Sequence, residues 1–235
     1  MAIALITGAS RGLGRALGNV LAERGWYLVI DSRDPGELGA AAESMRSRTT
    51  GNATVTAIAG DVTDTDHRAA LVGAAARLGQ LDLLVNNAST LGISPLVPLE
   101  RYRIDDLRRV FEVNVLAPLA LIQASVPLLA KSPHPAVLNV TSDASVEHFG
   151  TWGAYGSSKA ALDHLTATFG AEVPFVRFLA VDPGDMRTEM HQDAFPGEDI
   201  SDRPLPESVV PSLLALIDGS QPSGRYRARE IVGAP

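Results

Sequence analysis

The stretch Thr7-Gly8-Ala9-Ser10-Arg11-Gly12-Leu13-Gly14 follows a short apolar run near the start of the chain. Its three glycines separate that run from an amphipathic segment, in the order expected for a strand, a tight turn and a helix. Glycines at such a turn let the backbone approach a pyrophosphate, and the N-terminus of the next helix offers free N–H groups. The stretch therefore predicts a dinucleotide-binding turn; a tight turn without a ligand is the alternative.

Apolar runs of strand length recur along the whole chain. They predict seven strands, at Ile3–Thr7, Trp26–Asp31, Thr54–Ala59, Leu81–Asn86, Ala136–Thr141, Val176–Val181 and near Glu230–Val232. Most of these runs are too continuous in Val, Leu and Ile to have one exposed face. That pattern is typical of parallel strands covered by helices on both sides.

Helical patterns lie between these runs, at Gly14–Glu23, Asp64–Leu78, Ile104–Ala130, Tyr155–Glu172 and Pro206–Leu216. Pro118 and Pro127 predict a kink in the third of them. Alternating strands and helices imply right-handed βαβ crossovers. We therefore predict an α/β fold, with a Rossmann-like, doubly wound parallel sheet of about seven strands and helices on both faces. A single domain over residues 1–235 would carry both dinucleotide binding and catalysis, with the irregular stretches Ala88–Tyr102 and Met186–Leu205 at strand ends, where ligands bind.

Composition excludes several classes of protein. The net charge of −7 argues against a nucleic-acid partner, because phosphate backbones need a basic face. The chain has no cysteine, which excludes disulfides and thiolate nucleophiles, and its five histidines show no metal-ligand spacing, so no metal site is expected. No basic leader precedes the first strand, and no apolar run reads as long enough to span a bilayer. We therefore expect a cytoplasmic protein without a membrane partner.

Tyr155 and Lys159 are four residues apart in a predicted helix and share one face of it. The ordinary pKa of tyrosine is about 10, and a nearby ammonium is expected to lower that pKa by favouring the phenolate. Such a pair could handle a proton at neutral pH, although alone it would read as a surface pair. Ser142 lies at a strand end, where it can hydrogen-bond a substrate oxygen, while Thr141 should point to the other side of the strand.

The chain resembles the short-chain dehydrogenase/reductase family along its whole length. After the T-G-x-x-x-G-x-G turn, the matching residues follow in the family's order: Asp61-Val62, Asn86-Asn87-Ala88, Asn114, Ser142, Tyr155-x-x-x-Lys159, and Pro183-Gly184 with Thr188. The resemblance implies hydride transfer between a nicotinamide cofactor and a small molecule with a carbonyl or alcohol group. It also implies catalytic roles for Tyr155 as proton donor, Ser142 on the substrate oxygen, Lys159 as the partner of Tyr155, and Asn114 holding a water that links Lys159 to solvent.

The resemblance implies which residues bind the cofactor. They are Gly8, Ser10, Arg11, Gly12, Leu13, Gly14, Ser32, Arg33, Asp61, Val62, Asn87, Ala88, Ser89, Tyr155, Lys159, Pro183, Gly184, Met186 and Thr188. In this set Asp61 is expected at the adenine amino group, unless it only caps a helix, and Asn87 and Ala88 at the ribose. Thr188 is expected at the nicotinamide carboxamide. Ser89 stands where the family usually has glycine, so we expect that loop to differ locally.

The end of the second strand decides between the two nicotinamide cofactors. An acidic residue there binds the adenosine ribose diol, and a basic one binds a 2′-phosphate. Counted from Gly14, the family's acidic position falls on Ser32, followed by Arg33, while Asp31 should point to the opposite face of the sheet. With Arg11 as a second cation, the pattern predicts NADP(H), because arginine suits a phosphate. Asp31 keeps NAD(H) open as the less favoured cofactor.

We therefore expect an NADPH-dependent carbonyl reductase. The stretches Asn86–Gly92, Phe149–Trp152 and Glu172–Arg177 look most like sepiapterin and benzil reductases, which reduce vicinal dicarbonyls. One alternative is an NAD-dependent secondary alcohol dehydrogenase. Another is a regulator that senses NADP without turnover, against which the four polar residues argue. Because the family is usually dimeric or tetrameric, a homodimer or homotetramer is expected.

Overall fold

A seven-stranded parallel sheet organises the chain, whose computed structural model describes residues 1–231. The strands are β1 Ile3–Ile6, β2 Tyr27–Ser32, β3 Val55–Ala59, β4 Leu83–Asn86, β5 Ala136–Val140, β6 Arg177–Asp182 and β7 Gly224–Arg227. Their order across the sheet is β3-β2-β1-β4-β5-β6-β7. The order reverses between β1 and β4, which is where ligands bind in open α/β sheets.

Eight α-helices join the described strands and cover both faces of the sheet. They are α1 Gly12–Glu23, α2 Pro35–Arg46, α3 Thr65–Leu78, α4 Ile104–Phe111, α5 Ala117–Leu129, α6 Gly153–Glu172, α7 Glu189–Ala194 and α8 Val210–Asp218. Helices α1, α2 and α8 enclose one apolar core, and α3 and α5 enclose the other. The predicted doubly wound α/β fold is confirmed.

Helix α2 is absent from the sequence-based prediction. Its start carries clear signals, because Pro35 occupies the first turn and the side chain of Asp34 accepts a hydrogen bond from Glu37 N at 2.8 Å. Its buried face consists of Leu38, Ala41, Ala42 and Met45. Two of these four are alanines, so the hydrophobic pattern is weak even though the helical spacing is present.

The last strand was predicted in the wrong place. Strand β7 runs over Gly224–Arg227 and pairs with β6, whereas Ala228–Glu230 forms a 3₁₀ turn and Val232 lies outside the described residues. All four residues of β7 are half-buried, and its Gly-Arg-Tyr-Arg sequence has only one apolar side chain. An edge strand with this composition carries no apolar run from which it could be recognised.

The long helical pattern over residues 104–130 is interrupted by a π-helical segment at Glu112–Leu116, which lies just before Pro118. The whole stretch Ile104–Leu129 has 26 residues and an 18-residue window with a mean hydropathy of 1.5. By length and composition it could cross a membrane, so the reading that no run is long enough was wrong. In the fold 56% of that window is buried, and Leu121, Ile122 and Leu129 belong to the core beneath the sheet. The segment is accounted for as a core helix.

Helix α6 lies unusually close to the turn after β5. A Cβ atom built at Gly156 of α6 would lie 2.5 Å from the carbonyl oxygen of Ala144, which belongs to the 3₁₀ turn Asp143–Ser145. A backbone oxygen cannot move away as a flexible side chain can. Glycine at this position therefore sets the distance between Ser142, which precedes the turn, and Tyr155 on α6.

We expect Gly156→Ala to destabilise the protein by about 1–3 kcal/mol, since overpacking forces a backbone shift, and to lower turnover as well. Gly39→Ala is the matched control, because a Cβ at this helical position of α2 would meet no atom within 4 Å. That change should stabilise the protein by about 0.5–1 kcal/mol. Denaturant unfolding of both variants measures the two effects, and equal stabilities would contradict the role given to Gly156.

Candidate active site

One large cleft opens along the carboxyl ends of the central strands. Its volume is about 1280 Å³, which exceeds the roughly 300–1,000 Å³ of a typical small-molecule pocket. The cleft runs from the end of β2, past the glycine turn, to the segment that follows β6. It is long enough to place a dinucleotide and a second small molecule in line.

The glycine turn forms the floor of the cleft. Gly8 and Gly12 have φ angles of 65° and 55°, in the region that favours glycine. A Cβ at Gly8 would lie 2.9 Å from the Cα of Ala88, and one at Gly14 would lie 2.6 Å from Asn87 Nδ2. These contacts leave no room for a side chain, and the turn leads directly into the N-terminus of α1. The residues present therefore fit a pyrophosphate.

The loop after β4 is joined to the end of β1 by side-chain hydrogen bonds. Asn87 Nδ2 donates to the carbonyl oxygens of Thr7 and Gly8, each at 2.9 Å. The hydroxyl of Thr7 in turn accepts from the backbone N–H groups of Asn87 and Ala88, both at 3.0 Å. The switch point between β1 and β4 is thereby held at one width, with Ala88 facing the place predicted for a ribose.

Asp31 supports the glycine turn from the opposite side. One carboxylate oxygen accepts from Gly8 N at 2.8 Å, and the other lies 2.9 Å from His67 Nε2 on α3. Burial raises the pKa of Asp31 above its ordinary value, although the hydrogen bond with His67 acts in the other direction. Asp31 therefore has both carboxylate oxygens engaged in contacts that support the glycine turn.

The end of β2 lines the cleft beside the glycine turn with Asp31, Ser32 and Arg33. Asp31 is buried, whereas Arg33 is exposed. Arg11 also lines the cleft but is engaged with two carboxylates, hydrogen-bonding to Glu189 and lying 3.8 Å from Glu37. Of the two predicted cations, Arg33 is therefore the better placed to meet a phosphate.

Asp61 lies farther along the cleft and is bound on both oxygens. One accepts from the backbone and hydroxyl of Thr63, at 2.9 Å and 2.8 Å, and the other accepts from Arg109. Despite partial burial, these contacts lower the pKa of Asp61 to about 2. Arg109 itself lines the cleft. Arg109 was absent from the predicted site, because no local sequence signal shows that this one arginine folds back onto Asp61.

Tyr155 and Lys159 lie on the inner face of α6 and are almost fully buried, with exposures of 8% and 2%. The ammonium of Lys159 donates to the carbonyl oxygen of Val140 at 2.8 Å and lies 5.5 Å from the centre of the Tyr155 ring. Burial lowers the pKa of Lys159 to about 8. Burial also raises the pKa of Tyr155 and outweighs the hydrogen bonds with Ser142 and Ser89 that lower it, so the lowered value expected from the neighbouring ammonium was wrong.

Ser142 lies at the end of β5, half-exposed in the cleft. Its hydroxyl donates to the carboxylate of Asp143 at 2.8 Å and accepts from Ala144 N at 3.2 Å. The hydrogen bond with Ser142 lowers the pKa of Tyr155, while the charge of Asp143 raises it. Asp143 lines the cleft and was missed by sequence reasoning, because its place beside Ser142 is its only signal.

Asn114 lies in the π-helical segment, fully buried behind the cleft rather than in its lining. Its amide oxygen accepts from Thr90 N at 2.9 Å and from the Ser89 hydroxyl at 3.1 Å. Its amide nitrogen donates to Thr90 O at 2.9 Å and to the Ser158 hydroxyl at 3.0 Å. The amide is thus fully used in joining the loop after β4 to α6, beside Lys159, and the water-holding role of Asn114 stays a prediction.

The segment after β6 closes the cleft from above. Asp182 ends β6 and accepts from Gly184 N at 3.0 Å. Thr188 caps α7 by accepting from His191 N at 3.2 Å, and its methyl group would lie 3.6 Å from a Cβ at Gly12. Thr188 therefore lies across the glycine turn, on the opposite wall of the cleft.

Aromatic side chains form the wall beyond Tyr155. The ring of Trp152 lies 5.7 Å from that of Tyr155 and 5.9 Å from that of Phe195. His191 lies 4.9 Å from Phe195, measured between ring centres. Phe195 and His191 come from the predicted irregular stretch after β6, part of which forms α7. Their sequence pattern gave no sign that they meet Trp152.

The structure brings most of the predicted site residues together. In the described chain, every predicted catalytic and cofactor residue lines the cleft except Gly14, which shapes the turn, and Asn114, which lies behind it. The lining residues are Gly8, Ser10, Arg11, Gly12, Leu13, Ser32, Arg33, Asp61, Val62, Asn87, Ala88, Ser89, Ser142, Tyr155, Lys159, Pro183, Gly184, Met186 and Thr188. The arrangement offers an anion-binding floor at one end and proton-handling groups beside an aromatic wall at the other.

The sequence is similar to several characterised proteins. The sequence model of the short chain dehydrogenase family matches residues 2–199. The chain is 34% identical over 194 residues to trans-4-hydroxycyclohexanecarboxylate dehydrogenase of Sinomonas cyclohexanicum, covering 80% of this chain and 73% of that protein. It is 32% identical over 199 residues to an (S)-benzoin-forming benzil reductase of Saccharomyces cerevisiae, covering 81% and 74%. A sepiapterin reductase of Meriones unguiculatus is 32% identical over 201 residues, covering 81% and 76%.

Solved structures extend the likeness to the three-dimensional level. A short chain dehydrogenase of Shigella flexneri complexed with NADP superimposes with a TM-score of 0.88, at 26% identity, covering 97% of both chains. One of Escherichia coli complexed with NADPH gives a TM-score of 0.86 at 27% identity, covering 97% of this chain and 96% of that one. Since sequence and fold agree over most of its length, the chain belongs to the short-chain dehydrogenase/reductase family of oxidoreductases.

Proposed function

We propose that the protein is an NADPH-dependent carbonyl reductase. The observation that carries this proposal is the position of Tyr155, which lines the cleft with Ser142 and lies with its ring centre 5.5 Å from the Lys159 ammonium. Burial raises the pKa of its phenol, so the group carries its proton at neutral pH. A carbonyl oxygen that receives a hydride on its carbon needs that proton.

The roles of the side chains follow from their positions. The nicotinamide cofactor, when bound, supplies the hydride. Tyr155 donates its phenolic proton to the substrate oxygen, and Ser142 stabilises the charge that develops there once its hydroxyl turns from Asp143. Lys159, with a pKa of about 8, is an ammonium at neutral pH and stabilises the phenolate that Tyr155 becomes. Asn114 keeps the loop after β4 against α6, which fixes the position of these groups.

NADP(H) is the proposed cofactor, and NAD(H) is less favoured. Two structural neighbours are complexed with NADP or NADPH. In this chain Arg33 is exposed beside Ser32 at the end of β2, while the carboxylate of Asp31 is already bound by Gly8 N–H and His67. A ribose diol would therefore find no free carboxylate at Asp31.

The proposed substrate is a small carbonyl compound with an aromatic or planar group, such as a vicinal dicarbonyl. Trp152 and Phe195 supply the wall against which such a group would pack. Two relatives carry the names benzil reductase and sepiapterin reductase. The competing proposal is a secondary alcohol dehydrogenase, which the relative named for a hydroxycyclohexanecarboxylate favours. Initial rates with benzil, sepiapterin and cyclic secondary alcohols, each with NADP(H) and NAD(H), separate the two.

The protein is proposed to act in the cytoplasm as a homodimer or homotetramer, with a small-molecule substrate and neither nucleic acid nor membrane as a partner. Support for self-association comes from apolar side chains left exposed along α4 and its neighbours. Ile104 is 61% exposed, Leu99 58% and Leu116 45%. Light scattering on the protein as it elutes from a size-exclusion column measures the oligomeric state.

Tyr155→Phe is expected to lower kcat by about 10²–10⁴-fold, the usual contribution of general acid catalysis. NADPH binding should be unchanged, because the substitution removes one hydroxyl and little volume. Tyr226→Phe is the control, since the Tyr226 hydroxyl donates to Pro222 O at 2.6 Å, away from the cleft. Turnover of Tyr155→Phe close to that of the control would end the proposed mechanism.

Lys159→Met is expected to abolish most activity and yet to stabilise the fold at pH 7. Burial lowers the pKa of Lys159 from 10.5 to about 8. Since each pKa unit corresponds to about 1.4 kcal/mol, removing the charge should raise the free energy of unfolding by up to about 3 kcal/mol. Above pH 8 the folded protein loses this proton before the unfolded chain does, so wild-type stability rises and the difference narrows. Melting temperatures at pH 7 and pH 9 test this, with exposed Lys131→Met as control.

Arg33→Ala is expected to raise KM for NADPH by about tenfold or more, because a charge-assisted contact contributes roughly 1.5–3 kcal/mol. KM for NADH should stay the same. Arg24→Ala is the control, since Arg24 pairs with Asp218 at 2.8 Å, away from the cleft. Ser32→Asp should move preference toward NADH by placing a carboxylate at the ribose position. A wild type that prefers NADH would overturn the choice of cofactor.

A further inference from the structure

Arg225 on the edge strand β7 connects three segments of the active site without lining the cleft in the described chain. Its Nη2 atom donates to the carbonyl oxygen of Ser142 at 2.9 Å and lies 3.3 Å from Asp182 Oδ2. Its Nε atom donates to Asp163 Oδ2 at 3.1 Å. One planar guanidinium thus reaches the loop after β5, the end of β6 and the middle of α6.

The carbonyl oxygen of Ser142 accepts hydrogen bonds from other groups besides Arg225. It also accepts from the backbone N–H of Ser145 at 3.1 Å, and the Ser145 hydroxyl lies 2.7 Å away. The same hydroxyl lies 2.6 Å from Asp163 Oδ2. The backbone of Ser142 is therefore fixed to α6 through Arg225, Ser145 and Asp163.

The charges in this group are largely removed from water. Side-chain exposure is 23% for Arg225, 14% for Asp163 and 7% for Asp182. The second oxygen of Asp163 is buried and has no hydrogen-bond partner among the described residues. The guanidinium of Arg225 pairs with both Asp163 and Asp182, and a buried carboxylate that loses its charged partner is strongly unfavourable.

We propose that Arg225 is a positioning residue of the active site, which fixes the Ser142 backbone against α6 and neutralises the two carboxylates that flank the catalytic groups. Asp163 follows Lys159 by one helical turn and shares its face of α6. Asp182 directly precedes the Pro183-Gly184 segment that closes the cleft. The inference rests on the proposed function, because it assigns Arg225 a role through Ser142, Tyr155 and Lys159.

Neutralisation of these carboxylates has an electrostatic consequence for catalysis. The charge of Asp182 raises the pKa of Tyr155, and that of Asp163 raises the pKa of Lys159. The charged and titratable groups around the centre are Asp143 in the loop after β5, Lys159 and Asp163 on α6, Asp182 on β6, His191 on α7 and Arg225 on β7. Without Arg225, the negative charges of both carboxylates would act on Tyr155 and Lys159 uncompensated. Tyr155 and Lys159 would then hold their protons more firmly.

The test compares Arg225→Met, Arg225→Lys and a matched control, Arg227→Met. Arg227 lies two residues farther along the same strand and meets Glu147 at 3.4 Å on the surface. Reduction of benzil by NADPH is followed against pH, together with melting temperatures. Arg225→Met should lower kcat about a hundredfold, the cost typical of a small misplacement of reacting groups, and move the alkaline limb of the pH profile upward. Arg227→Met should match the wild type in both.

Arg225→Lys keeps the charge but cannot reproduce the planar fork, so kcat should fall about tenfold with the alkaline limb in place. Adding Asp163→Asn to Arg225→Met should bring that limb back toward the wild type. A merely structural role would lower the melting temperature and leave the limb where it is, which would overturn the inference. Wild-type kcat in Arg225→Lys would also overturn it, and this variant decides if Arg225→Met does not fold.

Tyr155→Phe, assayed in parallel, separates the two ways to fail. If Tyr155→Phe is inactive and Arg225→Met behaves as the wild type, only the role of Arg225 is wrong. If Tyr155→Phe is fully active, the proposed function fails first. Asp163→Asn alone should lower the pKa of Lys159, and so move the limb downward; an unchanged limb would count against the inference.

Discussion

The close backbone contact between the first strand-to-helix turn and the loop after β4 is the constraint on which the rest of the site depends. Gly8 approaches Ala88 so closely that a Cβ could not be placed between them, and Asn87 and Thr7 join the two segments by hydrogen bonds. The contact lies at the point where strand order reverses, so it sets the width of the cleft there. Asp31, hydrogen-bonded to His67, supports the same turn by accepting from Gly8 N.

At the other end of the cleft, exclusion of water changes the pKa values of Tyr155 and Lys159. Tyr155 and Lys159 are buried on one face of α6, and burial changes both pKa values toward the neutral forms. The phenol of Tyr155 therefore carries its proton at neutral pH, and the pKa of Lys159, at about 8, lies close to neutral pH. The charge of Asp163 opposes part of the lowering of the Lys159 pKa, and Arg225 limits this effect of Asp163. The buried ammonium of Lys159 lowers the stability of the fold at neutral pH.

Much of the site could be predicted because its residues sit at fixed places on a regular fold. Glycines that follow a strand, and a tyrosine and lysine one helical turn apart, meet in space wherever the sheet and α6 form. Arg109, Asp143 and Phe195 could not be found in this way. Arg109 looks like any exposed helix residue until α4 is placed against Asp61. Phe195 meets Trp152 only because α7 folds over the cleft. Contacts between distant segments leave no local pattern.

The sequence by itself determined the fold class, the glycine turn and the helix face that Tyr155 and Lys159 share, because these depend on local periodicity and on glycine's freedom at a turn. Only the tertiary structure decided that β7 runs through Arg225 rather than Glu230, since an edge strand needs no apolar run. It alone decided the direction of the Tyr155 pKa change. That direction depends on how much water the surrounding segments exclude, which is a property of the assembled cleft and not of any one stretch of chain.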